Sequence, residues 1–208
     1  MSELPPIIYV VDDDPAVLKS LERLLRAAGF RPETFGSPQE FIAQHQADRP
    51  GCLVLDVTMP GFTGLELQQW LARAQDPLPI VFITGYGDVP TSVRAMKAGA
   101  VDFLTKPVDE QALLKAIEDA LRRGQEDRAA RAELASIRER LARLTPRERE
   151  VLEHVVSGQL NKQIAADLGT VEKTIKVHRA RVMYKMGVDS LAQLVRLAQQ
   201  AGIGQPEA

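Results

Sequence analysis

Cys52-Leu53-Val54-Leu55-Asp56-Val57-Thr58-Met59-Pro60-Gly61 is an apolar run that ends on a carboxylate and breaks at Pro-Gly. A short continuous apolar run bounded by turn residues predicts a buried strand, with Asp56 at its carboxyl end. In open α/β sheets that end faces the crevice where ligands bind. Ile7-Ile8-Tyr9-Val10-Val11 is a second such run, closed by Asp12-Asp13-Asp14. Two strand ends of this kind gather negative charge in one place. A hard cation such as Mg²⁺ would neutralise it. One of the carboxylates could then attack a phosphoryl group.

The flanking pattern predicts strands over 7–11, 32–35, 52–56, 79–84 and 101–104, with helices near 15–28, 38–46, 64–74, 89–98 and 110–123. Leu18, Leu21, Leu25 and Ala28 recur at steps of three and four, as one helix face requires. Asp14-Pro15 reads as an N-cap followed by proline at the first helical position. That makes Asp14 a helix cap before a metal ligand. Ser37-Pro38-Gln39-Glu40 reads as a capping box. Five strand–helix units imply an α/β fold with a parallel sheet covered on both faces.

The chain has 208 residues and a net charge of −2. Residues 1–124 carry 12 Lys and Arg against 17 Asp and Glu, whereas residues 141–208 carry 10 against 7. An acidic front and a basic back suggest two domains with different partners, although uneven surface charge alone would look the same. Cys52 is the single cysteine, which excludes an intramolecular disulfide and points to a reducing compartment. No apolar run approaches the ~20 residues of a membrane span, and the amino terminus lacks the basic and apolar regions of a secretory signal.

Residues 122–131, RRGQEDRAAR, have no apolar stripe and mark a boundary. Leu134, Ile137, Leu141 and Leu144 then form a short seam. It would suit a partner helix or packing on the chain's own domains, and little more than one heptad favours the second. Beyond it only helices are visible. Thr145-Pro146-Arg147-Glu148 is a capping box opening a helix to about 156, residues 160–168 form a short helix, Gly169 turns the chain, 171–186 form another, and Ser190 caps a last one. Two short helices joined by a glycine turn are the helix-turn-helix pattern.

Val11-Asp12-Asp13-Asp14, Leu55 to Gly61, Thr84-Gly85 and Lys106-Pro107 follow one another in the order seen in response-regulator receiver domains. Gly85 to Pro90 and Ala100 to Phe103 resemble the NarL/FixJ branch. The resemblance implies a flavodoxin-like receiver whose Asp56 accepts a phosphoryl group from a sensor histidine kinase's phosphohistidine. It implies Mg²⁺, with Mn²⁺ as an alternative, held by Asp13, Asp56 and the Thr58 carbonyl, and by Asp12 through water. It assigns Thr84 and Lys106 to the phosphoryl group, Phe103 to a rotating aromatic coupled to Thr84, and a cis bond to Lys106-Pro107. Alone, Thr84 and Lys106 would pass as surface residues and Phe103 as a core aromatic. Relatives often have arginine where Thr58 stands. Thr58 and Tyr86 would flank the path of hydrolytic water, which leaves the phosphoryl lifetime open.

Residues 145–200 resemble the LuxR-type four-helix DNA-binding domain through Leu144 to Leu152, Asn161 to Ala165, Lys173 to Arg179 and Lys185 to Val195. At 100° per residue, Ile175, Val182 and Met186 share one side of the 171–186 helix, with His178 at its edge. Lys173, Lys176, Val177, Ala180 and Tyr184 lie opposite, with Arg181 alongside. Lys176, Val177 and Ala180 suit base edges, and Lys173, Thr174, Arg179 and Arg181 suit phosphates. Charge alone would equally describe a solvated basic helix. Relatives cap this helix with serine where Val171 stands, which leaves Thr170 to cap it. His45 and His154 lack ligand spacing. The last helix, with Leu191, Leu194, Val195 and Ala198, resembles a dimerisation helix, although internal packing would place the same residues.

The resulting expectation is a receiver over 1–124, a helical linker over 125–142 and a helix-turn-helix domain over 143–208. Such a protein would be cytoplasmic, would form a homodimer when phosphorylated, and would act with promoter DNA and RNA polymerase, without a membrane partner. It would be no enzyme beyond its own phosphorylation and dephosphorylation. A phosphorylation-independent DNA-binding regulator is one competing reading. The other is an aspartyl phosphatase, but Thr58 stands where such enzymes carry their second acid.

Overall fold

The computed structural model describes residues 5–47, 49–85 and 89–204. Five strands, β1 (Ile7–Val11), β2 (Arg31–Phe35), β3 (Gly51–Asp56), β4 (Ile80–Thr84) and β5 (Asp102–Thr105), alternate with α1 (Pro15–Ala27), α2 (Pro38–Gln44), α3 (Gly64–Arg73) and α4 (Val89–Lys97). The strands form one parallel sheet in the order β2-β1-β3-β4-β5. The order reverses between β1 and β3, which opens a crevice at their carboxyl ends.

Both faces of the sheet are covered, which is why β1, β3 and β4 are buried along their whole length. Ile7, Tyr9, Leu53, Leu55 and Phe82 pack with Phe41, Leu67 and Leu71 on one face. Ile8, Val10, Cys52, Val54, Val81 and Ile83 pack with Leu21 and Leu25 on the other. A Cβ at Gly51 would strike the Ile7 carbonyl, so the β1–β3 approach requires glycine there. Burial pushes the Cys52 thiol up to about 12, leaving it an inert core residue. His45, at the end of α2, bonds Asp76 at 2.7 Å and stacks on Phe41, tying α2 to the turn after α3.

Asp14 caps α1, its side chain accepting the Ala16 N–H at 2.8 Å. Ser37 caps α2, and Thr63 with Glu66 forms a capping box on α3 that the sequence reading did not single out.

The boundary expected at 122–131 falls inside a single helix, α5, which runs unbroken from Glu110 to Ala142. Six of the ten residues in its stretch without an apolar stripe are Arg or Ala, which favour a helix without a buried apolar face. Gly124 is no helix breaker. A Cβ there would come within 2.8 Å of the Pro79 ring, so it is glycine because the packing is close.

The chain divides into compact units at Arg128 and Ala129. The second contains α6 (Pro146–Val156), α7 (Asn161–Asp167), α8 (Glu172–Met186) and α9 (Leu191–Gln200). Its core joins Val151, Leu152, Ile164, Ile175, Val182, Met186, Leu194 and Ala198 to Ile137 and Leu141 of α5, with Leu144 packed against them. The seam residues Ile137 and Leu141 thus pack on their own unit.

Glu148 of α6 is 2% exposed and accepts the Lys185 ammonium of α8 at 2.6 Å and the Thr145 N–H at 2.8 Å. Burial pushes its carboxyl up, but Lys185 and Thr145 outweigh that and hold it below the ordinary glutamate range. A carboxyl held low stabilises the fold above its ordinary range, and that contribution fades as pH falls through the depressed pKa. Replacing Lys185 by Met strands the buried carboxylate. The variant should lose about 2 kcal/mol of stability near pH 7, below the cost for a fully buried pair because the lysine is partly exposed. Denaturant unfolding should show the deficit shrinking as acid protonates Glu148, and an equal deficit at both pH values would contradict the pairing.

Candidate functional site

The parallel registers bring the acidic strand ends together. Val11 pairs with Leu55, so Asp12 follows on β1 as Asp56 closes β3. Asp56 pairs with Ile83, and Thr84 with Thr105, so Thr84 and Lys106 stand one position further along the same edge. The Lys106 N–H donates to the Thr84 carbonyl at 2.7 Å, and Lys106-Pro107 is cis.

Carboxylate oxygens of Asp12, Asp13 and Asp56 lie within 4.8 Å of one another. Asp12 and Asp56 are buried, and Asp13 is exposed at the crevice mouth. The Lys106 ammonium reaches 2.6 Å from Asp12 Oδ2 and 3.2 Å from Asp56 Oδ1. Asp12 Oδ1 accepts the Asp14 N–H at 2.9 Å, and Asp56 Oδ2 accepts the Thr58 N–H at 3.2 Å. Burial pushes the Asp56 carboxyl above its ordinary range; Lys106 pulls it back and Asp12 pushes it up again. Burial lowers Lys106, but the two aspartates hold it above its ordinary range. One ammonium thus pairs with two carboxylates, and a third, that of Asp13, lies within 4.8 Å of them. An all-oxygen donor set with surplus negative charge fits a hard divalent cation.

Thr84 is fully buried at the end of β4, and the Thr58 side chain is exposed beside Asp56. Phe103 is half-buried, its ring 6.1 Å from that of Phe82. Tyr86 lies outside the described residues.

Gly64 is a residue of this site that sequence reasoning missed. A Cβ there would collide with the Asp56 carbonyl, and the Gly64 N–H donates to the Val57 carbonyl at 3.0 Å. The available signal was glycine at the first position of a helix capped by Thr63 and Glu66, where bulkier residues are tolerated.

On α8, Ile175, Val182 and Met186 are buried, whereas Lys173, Lys176, Val177, Ala180 and Arg181 are exposed and Thr174 is half-buried. Lys176 pairs with Glu172 at 3.0 Å. Arg179 is half-buried and bonds Asn161 Oδ1 at 2.5 Å, linking α8 to the start of α7. Thr170 does not cap α8. Val171 takes that position without a side-chain bond, because the helix starts at Glu172 and valine offers no acceptor.

The response regulator receiver domain family matches residues 8–118, and the luxR family of bacterial regulatory proteins matches residues 142–198. Nodulation protein W of Bradyrhizobium diazoefficiens is 45% identical over 197 residues, which are 95% of this chain and 87% of that protein. The transcriptional regulatory protein FixJ of the same organism is 45% identical over 196 residues, 94% of this chain and 96% of FixJ. The solved structure of the response regulator StyR superposes with a TM-score of 0.83 at 49% identity, covering 95% of this chain and 100% of that one. The chain is a two-component response regulator. Its receiver carries the acidic crevice, and its LuxR-type domain carries α8. The family is one of transcriptional regulators, and a receiver joined to such a domain takes a sensor kinase and DNA as partners. Among the described residues of this response regulator, no helix is long and apolar enough to cross a membrane.

Proposed function

We propose that Asp56 is the phosphoryl acceptor of this regulator and that α8 reads promoter DNA in response. The observation that carries the reading is the crevice itself: three carboxylates within 4.8 Å, with one ammonium at 2.6 and 3.2 Å from two of them. Asp13, Asp56 and the Thr58 carbonyl would hold Mg²⁺ or Mn²⁺, with Asp12 acting through water. The cation would offset the charge of the phosphoryl oxygens. An Asp56 carboxylate oxygen attacks phosphorus, the O–P bond forms, and the donor's P–N bond breaks with its electron pair leaving on the imidazole. Lys106 then turns from the carboxylates to the new phosphoryl oxygens, and the Thr84 hydroxyl donates to them. Phe103 follows Thr84. The phosphorylated state favours one of two receiver conformations and promotes a homodimer, whose paired output domains bind two half-sites and engage RNA polymerase. These partners set the protein in the cytoplasm.

Radiolabelled acetyl phosphate with Mg²⁺ tests the chemistry. The label should be released by hydroxylamine, as from an acyl phosphate, and should map to Asp56; label on a serine, threonine or histidine would overturn the reading. Mg²⁺ should also raise the receiver's stability, by about 2.7 kcal/mol at one hundred times its dissociation constant. Thermal unfolding should show Asp13→Asn removing most of that gain.

On the output side, Lys173, Thr174, Arg179 and Arg181 meet phosphates, and Lys176, Val177 and Ala180 meet base edges. The Lys173→Ala change should weaken binding to all sequences alike and reduce the slope of log affinity against log salt by about 0.9. A salt titration on two unrelated duplexes checks both expectations.

A further inference from the structure

We infer that Arg140, near the end of α5, is a positioning residue of the DNA-reading unit, holding the carboxyl end of α8 and thereby setting how its exposed face meets a duplex. The inference rests on the proposal that α8 is the recognition helix.

A helix leaves its last carbonyls without intrahelical partners. At the end of α8, Gly187 takes the left-handed conformation at φ 64°. The Val188 and Gly187 N–H groups there return to the carbonyls of Met183 and Tyr184 at 3.1 Å. The Met186 carbonyl is met from another helix: Arg140 Nη1 donates to it at 2.7 Å. A guanidinium at this end also complements the helix dipole. The tie is reciprocal, because the Lys185 ammonium of α8 donates to the Arg143 carbonyl at 3.1 Å, just beyond α5.

Arg140 is held in place from its own side. Ile137 and Leu141 flank it and are buried in the same core as Val182 and Met186. The guanidinium therefore springs from a fixed backbone and ends on a fixed carbonyl. The neighbouring Arg138 is exposed. The luxR-family match begins at residue 142, two residues after Arg140. The clamp thus comes from outside that match.

The test uses the full chain and two probes: a duplex that the wild-type protein recovers from a random-sequence pool, and a duplex of unrelated sequence. Arg140→Ala should bind the recovered duplex about tenfold more weakly, as loss of one charge-assisted hydrogen bond implies. Its affinity for the unrelated duplex should change less than about twofold, because the phosphate contacts remain. Arg140→Lys should restore most of the discrimination, and Arg138→Ala should match wild type. A merely structural role would lower the folded fraction and weaken both duplexes equally, and that result would overturn the inference. So would an Arg138→Ala loss as large as that of Arg140→Ala. If Arg140→Ala binds like wild type while Lys176→Ala loses discrimination, the inference falls and the recognition-helix reading stands. If Lys176→Ala has no effect either, both fall.

Discussion

The Asp56→Asn protein is expected to take up phosphoryl groups from acetyl phosphate or a phosphorylated kinase at least about a thousandfold more slowly than wild type. The amide keeps the shape of the carboxylate but has no anionic oxygen to attack phosphorus. The fold should survive, since Lys106 retains Asp12 at 2.6 Å and the amide oxygen can still accept the Thr58 N–H. Circular dichroism should therefore match wild type while radiolabel incorporation falls to background. Label retained at the wild-type level would place the nucleophile elsewhere.

A large effect is also expected from a residue that takes no part in the chemistry. The Gly64→Ala change adds one methyl group, which the structure directs into the Asp56 carbonyl. Backbone, unlike a flexible side-chain tip, cannot step aside cheaply. Either α3 moves away from β3 or the end of β3 bends. The cost should be about 2–3 kcal/mol, in the upper range for overpacking. The same movement displaces Asp56, the proposed nucleophile, so the phosphorylation rate of the folded fraction should fall as well. Thermal unfolding and initial-rate labelling measure the two separately. An alanine variant with wild-type stability would show that the β3–α3 approach is looser than described. At Gly61, where φ is 78° and no atom lies near a Cβ, substitution should act only through backbone strain.

The inner strands β1, β3 and β4 were legible because burial on both faces leaves largely apolar runs, as in Ile7–Val11 and Gly51–Asp56. The order of Asp12, Asp13, Asp56, Thr84 and Lys106 was legible because each stands at or just past the end of a segment that reads as a strand. That Lys106 bridges both Asp12 and Asp56 was not, since order along the chain says nothing of side-chain reach. The buried face of α8 was readable from 3.6-residue periodicity at Ile175, Val182 and Met186. The continuity of α5 was hidden, because periodicity is a signal of burial and its middle is exposed. Gly64, Gly124 and Arg140 escaped for a common reason: what each does depends on a group distant in sequence, the Asp56 carbonyl, the Pro79 ring and the Met186 carbonyl.

The central claim is that a phosphoryl group on Asp56 controls DNA binding by α8. The most direct test measures affinity for a duplex recovered from a random pool, with and without acetyl phosphate and Mg²⁺, for wild type and Asp56→Asn. Wild type should bind more tightly when phosphorylated, and Asp56→Asn should give one unchanged affinity. Equal affinities for wild type in both conditions, or a phosphodonor response in Asp56→Asn, would contradict the claim.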